Sequence, residues 1–333
     1  MRDFAIISDS CCDLDAGLRA RFGIDYIPMR IIYGENDIPA SLDWEQISSK
    51  EFYDLMRQGV RIRTAQINTD EFKEVFSKIL SGGRDVMYIA CSSALSNSYK
   101  SSLPARDELL KKFPESKIYC IDSRNACMGL GMICMTASDL RAEGKSIDET
   151  AAWIEEHKQE VNQFATVENL NYLKRAGRVS TTSAVFGGLL QVKPIIISDA
   201  DGQNAAVEKV KGRKNSMARL ADLFKETYRD NPHQRVCVCH ADAPEAAEEL
   251  RALVKERMPD KNIEVITAGI GPIIGATTGT GCPKCLSQCF SPFLRMPEYS
   301  ITNMLIIASA AVTFRSFVGG LNPNSAIVFA TPR

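Results

Sequence analysis

The 333-residue sequence is poor in several features, and each shortage excludes something. Histidine occurs three times, as His157, His233 and His240, so chemistry that needs an imidazole base has few candidates. Long apolar runs are missing: even "MLIIASAAV" is far below the roughly 20 residues of a bilayer-spanning helix, and no stable membrane insertion is expected. Neither sign of charge is in excess. The 40 lysines and arginines against 41 acidic residues leave a formal charge of -1 and a pI near 6.4, so no nucleic-acid surface is expected. A G-x-S-x-G elbow, a Walker A loop and a G-x-G-x-x-G turn after the first strand are all absent, which leaves no nucleotide or other cofactor to expect. The opening "MRDFAIISDSCCD" lacks the pattern of a secretory signal, and the cytoplasm is the expected compartment.

Cysteine, by contrast, is plentiful. Its eleven copies form an odd total, and most sit among apolar residues in a chain large enough to need no covalent staples, so reduced and mostly buried thiols are expected. "CPKCLSQC" gives Cys282, Cys285 and Cys289 a metal-like spacing. A closed structural site usually takes four protein ligands, and no metal is expected.

The chain is long enough for two hydrophobic cores. "FAIISDS", "DVMYIAC" and "KIYCIDS" are near-continuous apolar runs alternating with helical stretches, the pattern of a sheet covered on both faces. "IDYIPMRIIYG" reads as a second strand, and "CDLDAGLRARFG" as a helix closed by Gly23. A helix over roughly Ser146 to Glu160 leads into a second α/β unit. There "VKPIIISDADGQNAAVEKVKGR" has the signature of a hairpin turning at Asp201 and Gly202. The glycine-rich "GIGPIIGATTGTG" reads as a flexible backbone able to approach another group closely. The division expected is 1–157, 158–281 and an atypical tail, 282–333.

Hydroxyls gather at the ends of the apolar strands: Ser8 and Ser10 beside Asp9, Ser92 and Ser93, and Ser123 beside Asp122, with Thr64 in "RTAQIN". Helix capping accounts for each one singly. Their recurrence at successive strand ends, where open α/β sheets bind ligands, favours a site for a carboxylate or phosphate. "YLKRAGRVS" and "VKGRK" add a basic rim that includes Lys174, Arg175, Arg178 and Arg213, read either as a solvated face or as an anion-facing or docking surface. The enzymatic alternative is a small-molecule hydrolase or transferase using Asp9, Ser93 or His240. A regulatory protein-binding module is the third reading.

"IISDSCCDL", "RTAQINTDEF", "CSSALSNSYKSS", "IDSRNACMGLG", "YLKRAGRVS", "VKPIIISDADG", "VEKVKGRK" and "GPIIGATTGTG" together resemble the DegV family of bacterial fatty-acid-binding proteins, in family order across about residues 3 to 281. The resemblance implies a two-domain α/β fold, with a parallel sheet in the N-terminal domain, a mixed sheet in the C-terminal domain and a ligand tunnel between them. It implies a non-enzymatic carrier of a long-chain fatty acid, with no catalytic residue. Thr64 and Ser93 would hold the carboxylate, with Ser92, Ser96 and Thr277 as neighbours. The implied partner is a separate ATP-dependent fatty acid kinase serving phospholipid synthesis, with Arg175 and Arg213 as docking or phosphate-facing residues. Three departures stand out. Thr277 occupies the place where the family often has histidine, and Asn97 that of a usual glycine. After Gly281 about fifty residues follow, where family chains soon finish with a short strand.

Overall fold

The computed structural model describes residues 2–180, 192–230, 233–281 and 283–288, the last stretch as backbone only. In chain order the first elements are β1 (Phe4–Asp9), α1 (Ala16–Phe22), β2 (Ile24–Ile27), β3 (Arg30–Tyr33), β4 (Asn36–Pro39), α2 (Ser49–Arg57), β5 (Arg63–Ala65) and α3 (Thr69–Ser81). They are followed by β6 (Asp85–Ala90), α4 (Ser98–Lys112), β7 (Ile118–Asp122), α5 (Cys127–Ala142) and α6 (Ile147–His157). The remainder comprises β8 (Val161–Thr166), α7 (Asn171–Ala176), β9 (Val192–Ser198), β10 (Asn204–Lys211), α8 (Arg213–Thr227), β11 (Val236–His240), α9 (Pro244–Arg257), β12 (Val265–Gly269), α10 (Pro272–Thr278) and β13 (Pro283–Gln288).

Strands β2, β1, β6 and β7 form a parallel sheet in that order. Every residue of β1 and of β6 is buried, as continuous apolar runs covered on both faces should be. The run read as one second strand is two. Pro28 has no N–H to give a ladder, so the chain leaves the parallel sheet after Ile27 and enters an antiparallel three-stranded sheet, β4-β3-β5, at Arg30. Gly23 ends α1 in the left-handed conformation at φ 57°, as expected from its place after the helix.

The third sheet is mixed, in the order β10-β9-β8-β13-β11-β12, with only β11 and β12 parallel. Its first hairpin turns at Gly202, φ 78°, where the sequence placed it. The strand β13 lies past Gly281, the expected end of the second unit, and occupies the middle of this sheet between β8 and β11. The rest of the tail, including Cys282 and Cys289, lies outside the described residues. Pro272 starts α10 over part of the segment read as flexible, so that stretch is helical and mostly buried.

Helix α5 packs against β1 and β6 of the parallel sheet and against β8 and β13 of the mixed one. Two glycines make this fit. A Cβ on Gly129 would lie 2.6 Å from the Gln163 side chain, and one on Gly131 would lie 2.6 Å from the Cys12 carbonyl oxygen. On the other side of the junction, Tyr53 donates its hydroxyl to the Ile270 carbonyl at 2.9 Å, and the Gly271 N–H donates to Asp13 Oδ1 at 3.0 Å. These contacts fix α10 against the N-terminal strand ends. No helix among the described residues is long and apolar enough to cross a membrane.

Candidate functional site

Two cavities meet where these segments converge. The larger, about 440 Å³, is walled by the turn after β6, by β5, by α10 and by Gln163, Arg178 and Asn204. Its volume is in the range of small-molecule sites. Met29, Leu95, Ile273 and Ile274 give it apolar surface, while Thr64, Ser93, Ser96 and Thr277 bring hydroxyls. The smaller, about 240 Å³, is walled by Arg61, Arg63, Tyr172, Arg175 and neighbours, and it shares Thr64, Arg178 and Thr277 with the larger.

The hydroxyls differ in what they have left to offer. Ser93 sits on the turn after β6, and the parallel pairing of β6 with β7 sets Ala90 opposite Asp122. The Asp122 carboxylate accepts the Ser93 N–H at 3.0 Å, the Arg124 N–H at 3.1 Å and the Ser93 hydroxyl at 2.5 Å. A serine has one proton to donate, so Ser93 meets the cavity with its lone pairs. Ser96 shares a hydrogen bond with Ser98 at 3.1 Å. Thr277 donates within its own helix, to the Ile274 carbonyl at 2.9 Å. Thr64 lies on the edge strand β5, and among the described residues its hydroxyl has no hydrogen-bond partner. Its proton is open to a ligand.

Other strand-end hydroxyls serve the fold. Ser92 is fully buried, does not reach either cavity wall and packs under Gly202, where a Cβ would come within 2.3 Å of its Oγ. Ser8 donates to the Ile89 carbonyl, Ser10 to that of Ala40 and Ser123 to that of Asn125. Asn97 adopts φ -84°, so its place needs no left-handed residue and the departure from glycine carries no strain.

Asp9, Ser93 and His240 are not brought together. Asp9 is buried behind the wall, where it accepts from the Cys91 N–H and the Cys11 N–H, each at 2.9 Å, and from the Tyr88 hydroxyl at 3.1 Å. Burial raises its pKa. His240 lines neither cavity and accepts the Ala243 N–H, and burial holds its pKa low. The eight cysteines whose side chains are described are free thiols and seven are buried. Burial lifts Cys120 to about 11 and Cys134 to about 12, far from the thiolate that nucleophilic chemistry requires.

Of the two arginines singled out for docking, Arg175 lies on the smaller cavity, stacked 4.9 Å from the Tyr172 ring centre. Arg213 is elsewhere, paired with Glu168 and bonded to the Gly281 carbonyl at 3.2 Å. Sequence reasoning gave no role to Arg61, Arg63, Asp122, Gln163 or Asn204. The run "RIRT" carried a signal, since it sets two arginines within three residues of Thr64.

The parallel sheet, the mixed sheet and a cavity between them define a two-domain α/β protein of the kind found in solved DegV structures. The family model described as "Uncharacterised protein, DegV family" matches residues 3–283, and the chain belongs to the DegV family. A DegV domain-containing protein of Clostridium perfringens is 36% identical over 281 residues, covering 84% of this chain and 96% of that one. Among solved structures, DegV of Bacillus subtilis, described as a fatty acid binding protein, is 26% identical with a TM-score of 0.74, covering 87% of this chain and 100% of that one. A stearic acid-binding protein of Eubacterium ventriosum shares the fold at 21% identity and a TM-score of 0.76, covering 86% of this chain and 98% of that one.

Proposed function

We propose that the protein binds a long-chain fatty acid without transforming it, in the cavity between residues 1–157 and 158–288, which we take as its two domains, the second carried past Gly281 by β13 at the middle of its sheet. The observation that carries this reading is the larger cavity itself, whose wall combines Met29, Leu95, Ile273 and Ile274 with polar groups, among them the Thr64 hydroxyl, which has no partner among the described residues, where it meets the arginine-lined recess. The tail supplies affinity, about 0.8 kcal/mol for each methylene buried, and Thr64 with Arg178 fixes the carboxylate end. Ser93 presents acceptor lone pairs on the same wall, and Ser96 a hydroxyl shared with Ser98. The named binding of fatty acids by the related structures supports the same assignment.

In this reading the carboxylate end faces the recess, and a separate ATP-dependent fatty acid kinase of the cytoplasm takes the acid from there into phospholipid synthesis. Arg175, exposed at the recess, is the docking residue we favour over Arg213, whose guanidinium is already held by Glu168. Extraction of the purified full chain under denaturing conditions, with identification of the released small molecule, tests the first part. Loss of the extracted acid on incubation with the kinase and ATP tests the second.

A further inference from the structure

Four guanidiniums line the smaller cavity: Arg61, Arg63, Arg175 and Arg178. Among the described residues none of the four pairs with a carboxylate. The contrast with their surroundings is sharp. Arg57, just before this segment, meets Asp54 at 2.8 Å and also Asp242, and Arg213 meets Glu168. Like charges brought together without counter-charge repel one another, so the recess is lower in free energy when an anion occupies it.

Two of the four are held ready. Arg175 stacks on Tyr172 and donates Nε to the Asn171 carbonyl at 3.3 Å. Arg178 donates Nε to the Leu95 carbonyl at 3.1 Å and Nη1 to that of Ala176. Guanidiniums fixed in this way lose little freedom on meeting an oxyanion, whose oxygens match their planar donors. The volume of about 240 Å³ is that of a polyatomic group rather than a single halide ion.

We infer that this recess is a binding site for a phosphate-class oxyanion, either inorganic phosphate or the phosphate of a small phosphomonoester, and that its occupancy is coupled to that of the larger cavity. The coupling follows from the shared wall. Thr64, Arg178 and Thr277 border both spaces, so an anion in the recess and a carboxylate at Thr64 draw on the same donors and repel each other. Each therefore weakens the other by an equal factor. The recess itself can be tested without lipid, and only its coupling rests on the fatty-acid reading.

The test is calorimetric titration of the lipid-stripped full chain with inorganic phosphate and, separately, phenyl phosphate at low ionic strength. Saturable binding of either is expected, and preference between the two identifies the source. Arg63→Gln and Arg175→Gln, both at exposed positions, should each weaken it about tenfold, the loss of one charge-assisted contact. Dodecanoic acid should weaken phosphate binding about fivefold or more, whereas uncharged dodecanol should not. No saturable binding of either phosphate, or equal binding by both variants and the wild type, overturns the site. Equal weakening by acid and alcohol overturns the electrostatic coupling. A chain that takes up neither these probes nor palmitate while still binding phosphate overturns the coupling and the carrier reading together and leaves the anion site standing.

Discussion

Ser93 donates its hydroxyl proton to Asp122 Oδ2 at 2.5 Å, and Asp122 is held in turn by the N–H groups of Ser93 and Arg124. The serine most strongly marked in the sequence as a carboxylate donor is thus oriented as an acceptor. Asp122→Asn should reverse this. The asparagine oxygen keeps the two backbone donors, its amide donates to Ser93 Oγ, and the Ser93 proton is released toward the cavity. Fatty-acid affinity should rise about two- to tenfold, the worth of one hydrogen bond, measured by competition with a fluorescent lipid. Weaker binding by the variant would show that Ser93 serves the ligand in its present orientation.

Thr64→Val keeps the shape of an edge-strand residue and removes the hydroxyl that has no partner among the described residues. Acid affinity should fall about tenfold, with the melting temperature little changed. An unchanged affinity would remove Thr64 from the site.

Gly202 combines φ 78° with a buried neighbour, since a Cβ there would lie 2.3 Å from Ser92 Oγ and 2.9 Å from Arg124 Cα. Gly202→Ala should destabilise the protein by about 2 kcal/mol or more in denaturant titrations, through backbone strain and overpacking. A variant as stable as the wild type would contradict the placement of Ser92 beneath the hairpin.

Much of this architecture was legible in the sequence, for reasons that differ from element to element. The parallel strands announced themselves because β1 and β6 are buried on both faces and had to be continuously apolar. The hairpin at Gly202 was legible because a tight turn restricts which residues can occupy it. The break at Pro28 was a local signal outweighed by the apolar residues on either side. What the sequence withheld was orientation. Ser92 and Ser93 are neighbours of the same type, yet one packs under Gly202 and the other reaches Asp122, a difference set by strand pairing 29 residues away. The arginine recess was hidden for a similar reason, because Arg61 and Arg63 share a cavity with Arg175 and Arg178 only once α7 and β5 have both packed against α10.

Charge reversal at Arg175 should separate binding from delivery. Arg175→Glu should retain lipid through extraction while its consumption by the kinase and ATP falls about tenfold, as for loss of a charge that steers a partner. Equal consumption would make Arg175 an ordinary exposed residue.

The central claim is that the larger cavity holds a fatty acid, and native mass spectrometry of the purified full chain, followed by denaturing extraction, tests it most directly. A long-chain acid bound at one equivalent, or taken up at one equivalent when palmitate or oleate is offered to the stripped protein, is the predicted result. A chain that carries no lipid and takes up neither acid would contradict it.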